Sequence, residues 1–205
     1  MPDQHLAQLS DGLLFCAVIV YALAMLGFAG EQASRRARRS VETLGTDELV
    51  SVGGGQGPLP PVTLMTEKPS RAGQFGLTLA VCGWGIHVVS LVLRGFAAHR
   101  VPWGNMYEFS SAVALVAVTA FLGLVIRGRV ERALGAFVML PVVLYMGLAA
   151  SVLYTAAGPL VPALNSYWIK IHVAAAIMAS GSFLLYLPFP YTPRIRAQTA
   201  RTQSP

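Results

Sequence analysis

Five apolar runs, each about twenty residues long, decide what this 205-residue sequence can fold into. Crossing about 30 Å of hydrocarbon takes about 20 apolar residues in a helix. A helix also satisfies its own backbone hydrogen bonds, which lipid cannot do. We therefore predict an all-α integral membrane fold, a bundle of five transmembrane helices over residues 12–29, 74–94, 109–126, 134–153 and 167–187.

The composition agrees with a membrane protein. Hydrophobic residues make up 55% of the chain and charged residues 12%, whereas about a quarter of an ordinary soluble domain is charged. The net charge of +6 comes from arginines clustered between the apolar runs, so it indicates topology and not nucleic-acid binding. Cys16 and Cys82 lie inside apolar runs, with no metal-binding or haem-attachment spacing. We predict that both are small core residues.

Lysine and arginine are distributed unevenly over the predicted connections. Six lie in 30–73, three in 127–133 and three in the tail, against two, Arg94 and Arg100, in the connections of the other side. Under the positive-inside rule the N-terminus is outside and the C-terminus inside. The predicted organisation is an outward N-terminus with the first helix, a flexible cytoplasmic linker, a four-helix membrane domain and a polar basic cytoplasmic tail, over residues 1–29, 30–73, 74–187 and 188–205.

His172 is the first candidate for chemistry. It lies about 8–10 Å below the outer end of the fifth predicted helix, at 1.5 Å per residue. Ala175, Ala176 and Ala179 share its face and leave a flat surface beside the imidazole. Imidazole is a common axial ligand of haem iron, so a planar ligand could lie there. A histidine that packs between helices and bonds to a neighbour explains the same pattern.

Two further histidines are weaker candidates. His87 lies deeper, in the second predicted helix, where an ionisable group is a functional candidate by default. It could contact haem inside the membrane, and a neutral imidazole bonded between two helices fits equally well. His99 follows in the outer loop beside Arg100. It could contact an anionic ligand, although an exposed loop histidine is usually only solvated.

The most unusual stretch is the outer segment 100–109, with the sequence RVPWGNMYEF. It combines aromatic faces with hydrogen-bonding groups. Asn105 is placed to cap the third helix, and Trp103 and Tyr107 suit the aromatic belt of a membrane interface. A structural role therefore explains most of the segment.

Glu108 is the residue of this segment that these structural roles do not explain. It is an acidic group at the membrane rim, and Arg94 and Arg100 lie on the same side. The two arginines could pair with haem propionates. They could equally pair with Glu108 or with lipid headgroups.

Two motifs carry a resemblance to a known family. PWGNMYE at 102–108, followed by a helix, and SYWIKIHV at 166–173 resemble the CcsA/ResC family of cytochrome c assembly proteins, whose actinobacterial members are commonly named CcsB. The motifs stand in the family's order, and the resemblance extends to about residue 185. It implies a haem-handling component of c-type cytochrome biogenesis by system II, in the bacterial inner membrane, which delivers haem b and presents it on the outer side.

The resemblance also implies site residues and partners. His172 corresponds to the first of two outward histidines that bind haem iron axially in the family, and residues 102–108 correspond to a family signature. The implied partners are a ResB-like membrane protein, apocytochrome c and an outward thioredoxin-like reductase. The chain would act as a haem chaperone within that complex and not as an enzyme on its own.

One departure from the family concerns tryptophan. The family's outer segment of the type W-G-x-x-W-x-W-D and its second outward histidine have no counterpart here, where Trp84, Trp103 and Trp168 are the only tryptophans. The sequence therefore looks truncated relative to the family, and a non-functional remnant is one alternative. A small-solute transporter is another, since an intramembrane His87 and glycine-containing helices could form a pathway. Against a transporter, the predicted spans contain no acidic residue and no inverted repeat.

Overall fold

Five helices build the described part of the protein, as the apolar runs predict. The computed structural model describes residues 3–52, 71–158 and 166–186, except for the side chains of 38–52. Each helix is long and apolar enough to cross a membrane, which confirms the predicted helical fold and its five helices of membrane-spanning length. The helices are α1 (Gln4–Val52), α2 (Arg71–Ala98), α3 (Met106–Ile126), α4 (Gly135–Val152), preceded by a single 3₁₀ turn (Arg132–Leu134), and α5 (Tyr167–Tyr186).

The first helix is longer than the sequence predicts. Its membrane-compatible part covers Gln4–Ala37 and the helix continues to Val52, so residues 30–52 of the predicted linker are helical. This corrects the predicted end at residue 29. The physical reason is that this stretch holds many strong helix formers and no proline. The glycine- and proline-rich part of the predicted linker, 53–61, and the predicted tail, 188–205, lie outside the described residues.

Helices α1 and α2 form the most extensive helix pair of the bundle. Gly27 and Gly76 lie where they cross, and a Cβ atom on Gly27 would come within 2.8 Å of the Gly76 Cα. Small residues at such a crossing let two membrane helices approach closely. The interior between α1, α3 and α4 is filled by large apolar side chains, among them Tyr21, Phe28, Phe121, Met139 and Met146.

The outer surface of the bundle carries many large apolar side chains. Cys16 and Cys82 are both exposed there, so the prediction that they are core residues is wrong. The reason is that a helix surface facing lipid is apolar too, and hydrophobicity does not separate the two environments. Helix α5 is the most peripheral element and packs mainly on α3. It does so through a narrow buried stripe of Ile177, Gly181 and Leu185.

Contacts between chain segments define the two ends of the bundle. At one end, the Asp3 amide donates to the Ala97 carbonyl at 3.2 Å and the Arg100 Nε donates to the Gly158 carbonyl at 2.9 Å. At the other end, Arg35 pairs with Glu131 at 3.0 Å. The N-terminal residues and the two predicted outer loops therefore share one end, which we call the N-terminal end. The alternation of helices is as predicted, while the assignment of this end to the outer side stays a prediction.

Candidate ligand-binding site

A cavity of about 870 Å³ lies at the N-terminal end, between the segment 98–109 and the first half of α5. This volume falls within the range of about 300–1,000 Å³ that is typical of small-molecule sites. The segment and α5 are distant in sequence, with α3 and α4 between them. The fold thus brings the two motif-bearing segments, 102–108 and 166–173, to one site.

His172 lies on the α5 wall of this cavity. Its side chain is exposed, and no hydrogen-bond partner is found for its imidazole among the described residues. Ala176, one turn further on, lines the same wall, as predicted from the shared face. Ala175 and Ala179 are exposed but lie outside the cavity lining. The predicted flat surface beside His172 is therefore present in part.

The opposite wall is formed by the predicted signature segment. Trp103 and Phe109 give it aromatic faces, and Asn105 lies between them in the lining. The Asn105 Oδ1 accepts a hydrogen bond from the Glu108 amide at 2.8 Å, in the geometry of a helix N-cap. Asn105 thus caps α3, as the sequence predicts, and its position at the cavity follows from where α3 begins.

Glu108 is fully buried and organises the loop that forms this wall. Its carboxylate accepts hydrogen bonds from the Arg100 Nη1 at 2.7 Å, from the Gly104 amide at 2.8 Å and from the Arg94 Nε at 3.2 Å. An ionised carboxylate can accept about four such bonds, and bonds to charged donors are the stronger ones. Of the pairings that the sequence left open for the two arginines, the structure shows the pairing with Glu108.

Arg94 lies beneath the cavity wall and not in its lining. It is 2% exposed, and its guanidinium also binds the Asp11 carboxylate at 2.6 Å and the Thr155 carbonyl. Its Cζ atom lies 4.8 Å from the centre of the Tyr107 ring. Arg94, which the sequence offers as a possible propionate contact, and Tyr107, a residue of the signature segment, therefore connect helices, and neither lines the cavity.

Asp11 is the partner that completes this cluster from α1. It accepts hydrogen bonds from the Tyr107 hydroxyl at 3.2 Å and from the Tyr154 hydroxyl at 2.8 Å. The bond to the Asp11 carboxylate raises the pKa of the Tyr154 hydroxyl above its ordinary value. We call Asp11, Arg94, Arg100, Tyr107 and Glu108 the charged cluster. It joins α1, α2, α3 and the loop after α4 at the N-terminal end.

His87 is remote from the cavity and belongs to the helix packing. It is fully buried, with its Nε2 at 2.9 Å from the Ser111 hydroxyl and its Nδ1 at 3.4 Å from the Tyr21 hydroxyl. Both ring nitrogens therefore have partners on neighbouring helices. This is the arrangement of an imidazole bonded between helices, the second of the two roles that the sequence allows.

Sequence reasoning gave little weight to two cavity residues, His99 and Lys170. His99 is a weak candidate in the sequence because an exposed loop histidine is usually only solvated, and Lys170 is not among the sequence candidates. The signal that was available is proximity, since His99 directly precedes the signature segment and Lys170 lies two residues before His172. Asp11 was missed because its partner Arg94 lies 83 residues away, and no local pattern predicts such a pair.

Fold and site together define a class, a helical bundle whose five helices are long and apolar enough to cross a membrane, with a ligand-sized cavity at one end. Its cavity walls include residues of the segments 102–108 and 166–173. Comparison with protein families, with curated proteins and with solved structures found no match for this chain.

Proposed function

We propose that this protein handles haem b in the biogenesis of c-type cytochromes, as a component of the bacterial inner membrane. It holds haem at the N-terminal end, on the outer side, and presents it to apocytochrome c. The observation that carries the proposal is the meeting of the two motif segments, 102–108 and 166–173, at one cavity. Neither segment alone would form a site.

The residues of the cavity fit haem in size and in chemistry. A volume of about 870 Å³ accommodates a large planar molecule. Trp103, Phe109 and Val173 offer apolar and aromatic contacts to its faces. His172 offers a nitrogen to iron. Arg100 and Lys170 also line the cavity and supply positive charge for the two propionates.

The proposed chemistry is ligation and presentation. His172 would hold the iron and the wall of 98–109 would orient the ring, while the addition of thiols to the haem vinyl groups would be supplied by the cytochrome's own cysteines. The partners proposed for this step are a ResB-like membrane protein and an outward thioredoxin-like reductase that keeps those cysteines reduced. Lys170 has no ion-pair partner among the described residues, whereas Glu108 already binds the Arg100 guanidinium. Lys170 is therefore the cation more available to a propionate.

Haem titration of the detergent-purified full chain tests the proposal. We expect a Soret band that saturates at one haem per chain, and we expect His172→Ala to weaken it strongly. The matched control is His5→Ala, because His5 is also an exposed histidine at the N-terminal end but lies outside the cavity lining. Its spectrum should equal that of the unmodified protein.

Two results would contradict the proposal. One is the absence of saturable haem binding by the full chain, both alone and when it is co-expressed with a ResB-like partner. The other is equal haem binding by the His172→Ala and His5→Ala variants, because haem would then partition into the micelle or bind elsewhere on the protein.

A further inference from the structure

The arginines at the two ends of the bundle differ in burial and in pairing. At the N-terminal end, the Arg94 and Arg100 side chains are 3% and 14% exposed, and both are paired with carboxylates. At the opposite end, Arg71, Arg127 and Arg129 are exposed. None of these three has an ion-pair partner among the described residues. We call Arg71, Arg127 and Arg129 the arginine rim.

The charge of the rim is not balanced by its surroundings. Arg35, Arg36 and Arg132 lie at the same end, where the acidic side chains among the described residues are Glu31 and Glu131. Arg35 is bonded to both of these carboxylates, at 2.9 and 3.0 Å. The arginines therefore exceed the acidic groups, and the rim carries the exposed part of this positive charge.

The connection between α3 and α4 holds two of the rim arginines on a defined turn. The Arg129 amide donates to the Leu124 carbonyl at 2.9 Å and the Gly128 amide donates to the Val125 carbonyl at 3.0 Å. These are the two bonds of a Schellman cap, which needs a left-handed residue between them. Gly128 has a φ of +65°. Arg127 and Arg129 thus flank a capped glycine turn, and their positions are set by the end of α3.

Helix lengths place the rim at the depth of phospholipid headgroups. The 21 residues of α3 span about 31 Å at 1.5 Å per residue, close to the hydrocarbon thickness of about 30 Å. Arg127 follows its last residue. The 28 residues of α2, which begins at Arg71, span about 42 Å, close to the thickness of about 40–45 Å that includes the headgroups. In a bilayer, both arginines therefore lie in the layer that contains the lipid phosphates.

Large apolar side chains lie directly beside the rim. Ile126 precedes Arg127 and is 78% exposed, and Phe75 is 62% exposed. Phe75 is four residues from Arg71 and shares its helix face. A guanidinium binds phosphate through charge-assisted, often bidentate hydrogen bonds, and the neighbouring apolar side chain offers a contact for an acyl chain. A soluble anion would use the first of these two surfaces, whereas a phospholipid would use both.

We propose that the arginine rim binds the headgroups of anionic phospholipids in the leaflet at this end of the bundle. The lipid class is a glycerophospholipid with a net negative charge, such as phosphatidylglycerol, because clustered arginines beside a membrane helix attract net negative charge. A zwitterionic lipid such as phosphatidylcholine fits the same surface but lacks that attraction. This inference is independent of the proposed function, since it concerns the end of the bundle away from the cavity.

Spin-labelled lipids test the inference with the full chain in phosphatidylcholine vesicles, because electron paramagnetic resonance separates lipids in contact with the protein from free lipids. We expect labelled phosphatidylglycerol to bind about fivefold more strongly than labelled phosphatidylcholine. In a variant with Arg71→Gln, Arg127→Gln and Arg129→Gln, this preference should fall below about twofold. The matched control carries Arg71→Lys, Arg127→Lys and Arg129→Lys, which keeps the charges and should keep most of the preference. Both variants should unfold at the same temperature as the unmodified protein, because the three side chains are exposed.

Three results would overturn the inference. The first is the absence of a preference for phosphatidylglycerol in the unmodified protein. The second is an unchanged preference in the glutamine variant, since the selectivity would then arise elsewhere on the chain. The third is a preference that inorganic phosphate abolishes while sodium chloride of the same ionic strength does not, because the rim would then be a site for soluble phosphate. The haem titration decides none of these results, so the proposed function and this inference can fail separately.

Discussion

Removal of the Glu108 carboxylate should cost more free energy of unfolding than any other single change at the N-terminal end. The side chains of Glu108, Arg94 and Arg100 are 0%, 3% and 14% exposed. Glu108→Ala would leave two buried guanidinium groups without their common partner and would free the Gly104 amide. Breaking a buried ion pair from one side costs about 3–5 kcal/mol. We expect a loss of that size.

A more conservative variant separates the part of this free energy that depends on the negative charge from the part that depends on hydrogen bonding. Glu108→Gln keeps a carbonyl oxygen at the same position but removes the negative charge, so at least one hydrogen bond to the arginines survives. The expected loss is about 1–3 kcal/mol, because part of the acceptor set stays occupied. A loss as large as that of Glu108→Ala would show that the charge, and not the shape of the acceptor, holds the cluster.

Reversible unfolding in mixed detergent micelles, followed by helical circular dichroism, measures these losses. Glu131→Ala is the matched control, because the Glu131 side chain is 43% exposed and pairs with Arg35 at the opposite end. Exposed ion pairs contribute about 0.2–1 kcal/mol. If Glu108→Ala costs no more than Glu131→Ala, the charged cluster does not stabilise the fold in the way that its burial implies.

Three further predictions concern other parts of the molecule. Gly181→Ala should cost about 1–3 kcal/mol of unfolding free energy in the same assay, because its Cβ would come within 2.6 Å of a side chain of α3. Gly147→Ala is its control and should be neutral or stabilising, because its Cβ would meet nothing within 4 Å. His87→Ala should cost about 1–3 kcal/mol of unfolding free energy, because the Tyr21 and Ser111 hydroxyls would lose their hydrogen-bond partner. The haem spectrum should stay unchanged, and a lost Soret band would instead indicate that His87 is a haem ligand. The raised pKa of Tyr154 contributes stability that is present below about pH 10 and is lost as the pH rises further. Tyr154→Phe should flatten this alkaline decline in stability. Identical pH profiles of the variant and the unmodified protein would contradict a stabilising hydrogen bond from Tyr154 to Asp11.

The number and the order of the helices could be predicted from the sequence because the length of an apolar run is a local property. The cap of α3 could be predicted for the same reason, since Asn105 and the first turn of its helix are neighbours. The far end of α1 could not, because polar helix formers continue a helix after the apolar signal stops. The helix thus extends past both predicted bounds, and Asp11 and Glu31 lie within its membrane-compatible part, Gln4–Ala37.

The candidate site was predictable only in its local parts. His172 and the segment 102–108 were identified because each carries an unusual set of residues. That they share a cavity, and that His99 shares it with them, follows from how α5 packs on α3. Arg94 was a reasonable candidate from its charge and side of the membrane, but its burial by Asp11 and Glu108 depends on contacts between distant segments. Pairings of this kind have no signature in a single sequence.

The two walls of the cavity differ in how firmly they are held. The charged cluster fixes the wall of 98–109, whereas the wall with His172 belongs to α5, which has one substantial neighbour. Membrane helices adjust their tilt when the hydrophobic thickness of the surrounding bilayer changes. We expect α5 to respond in this way while the other wall stays in place. The width of the cavity, and with it the retention of a ligand, would then depend on the lipid composition of the membrane.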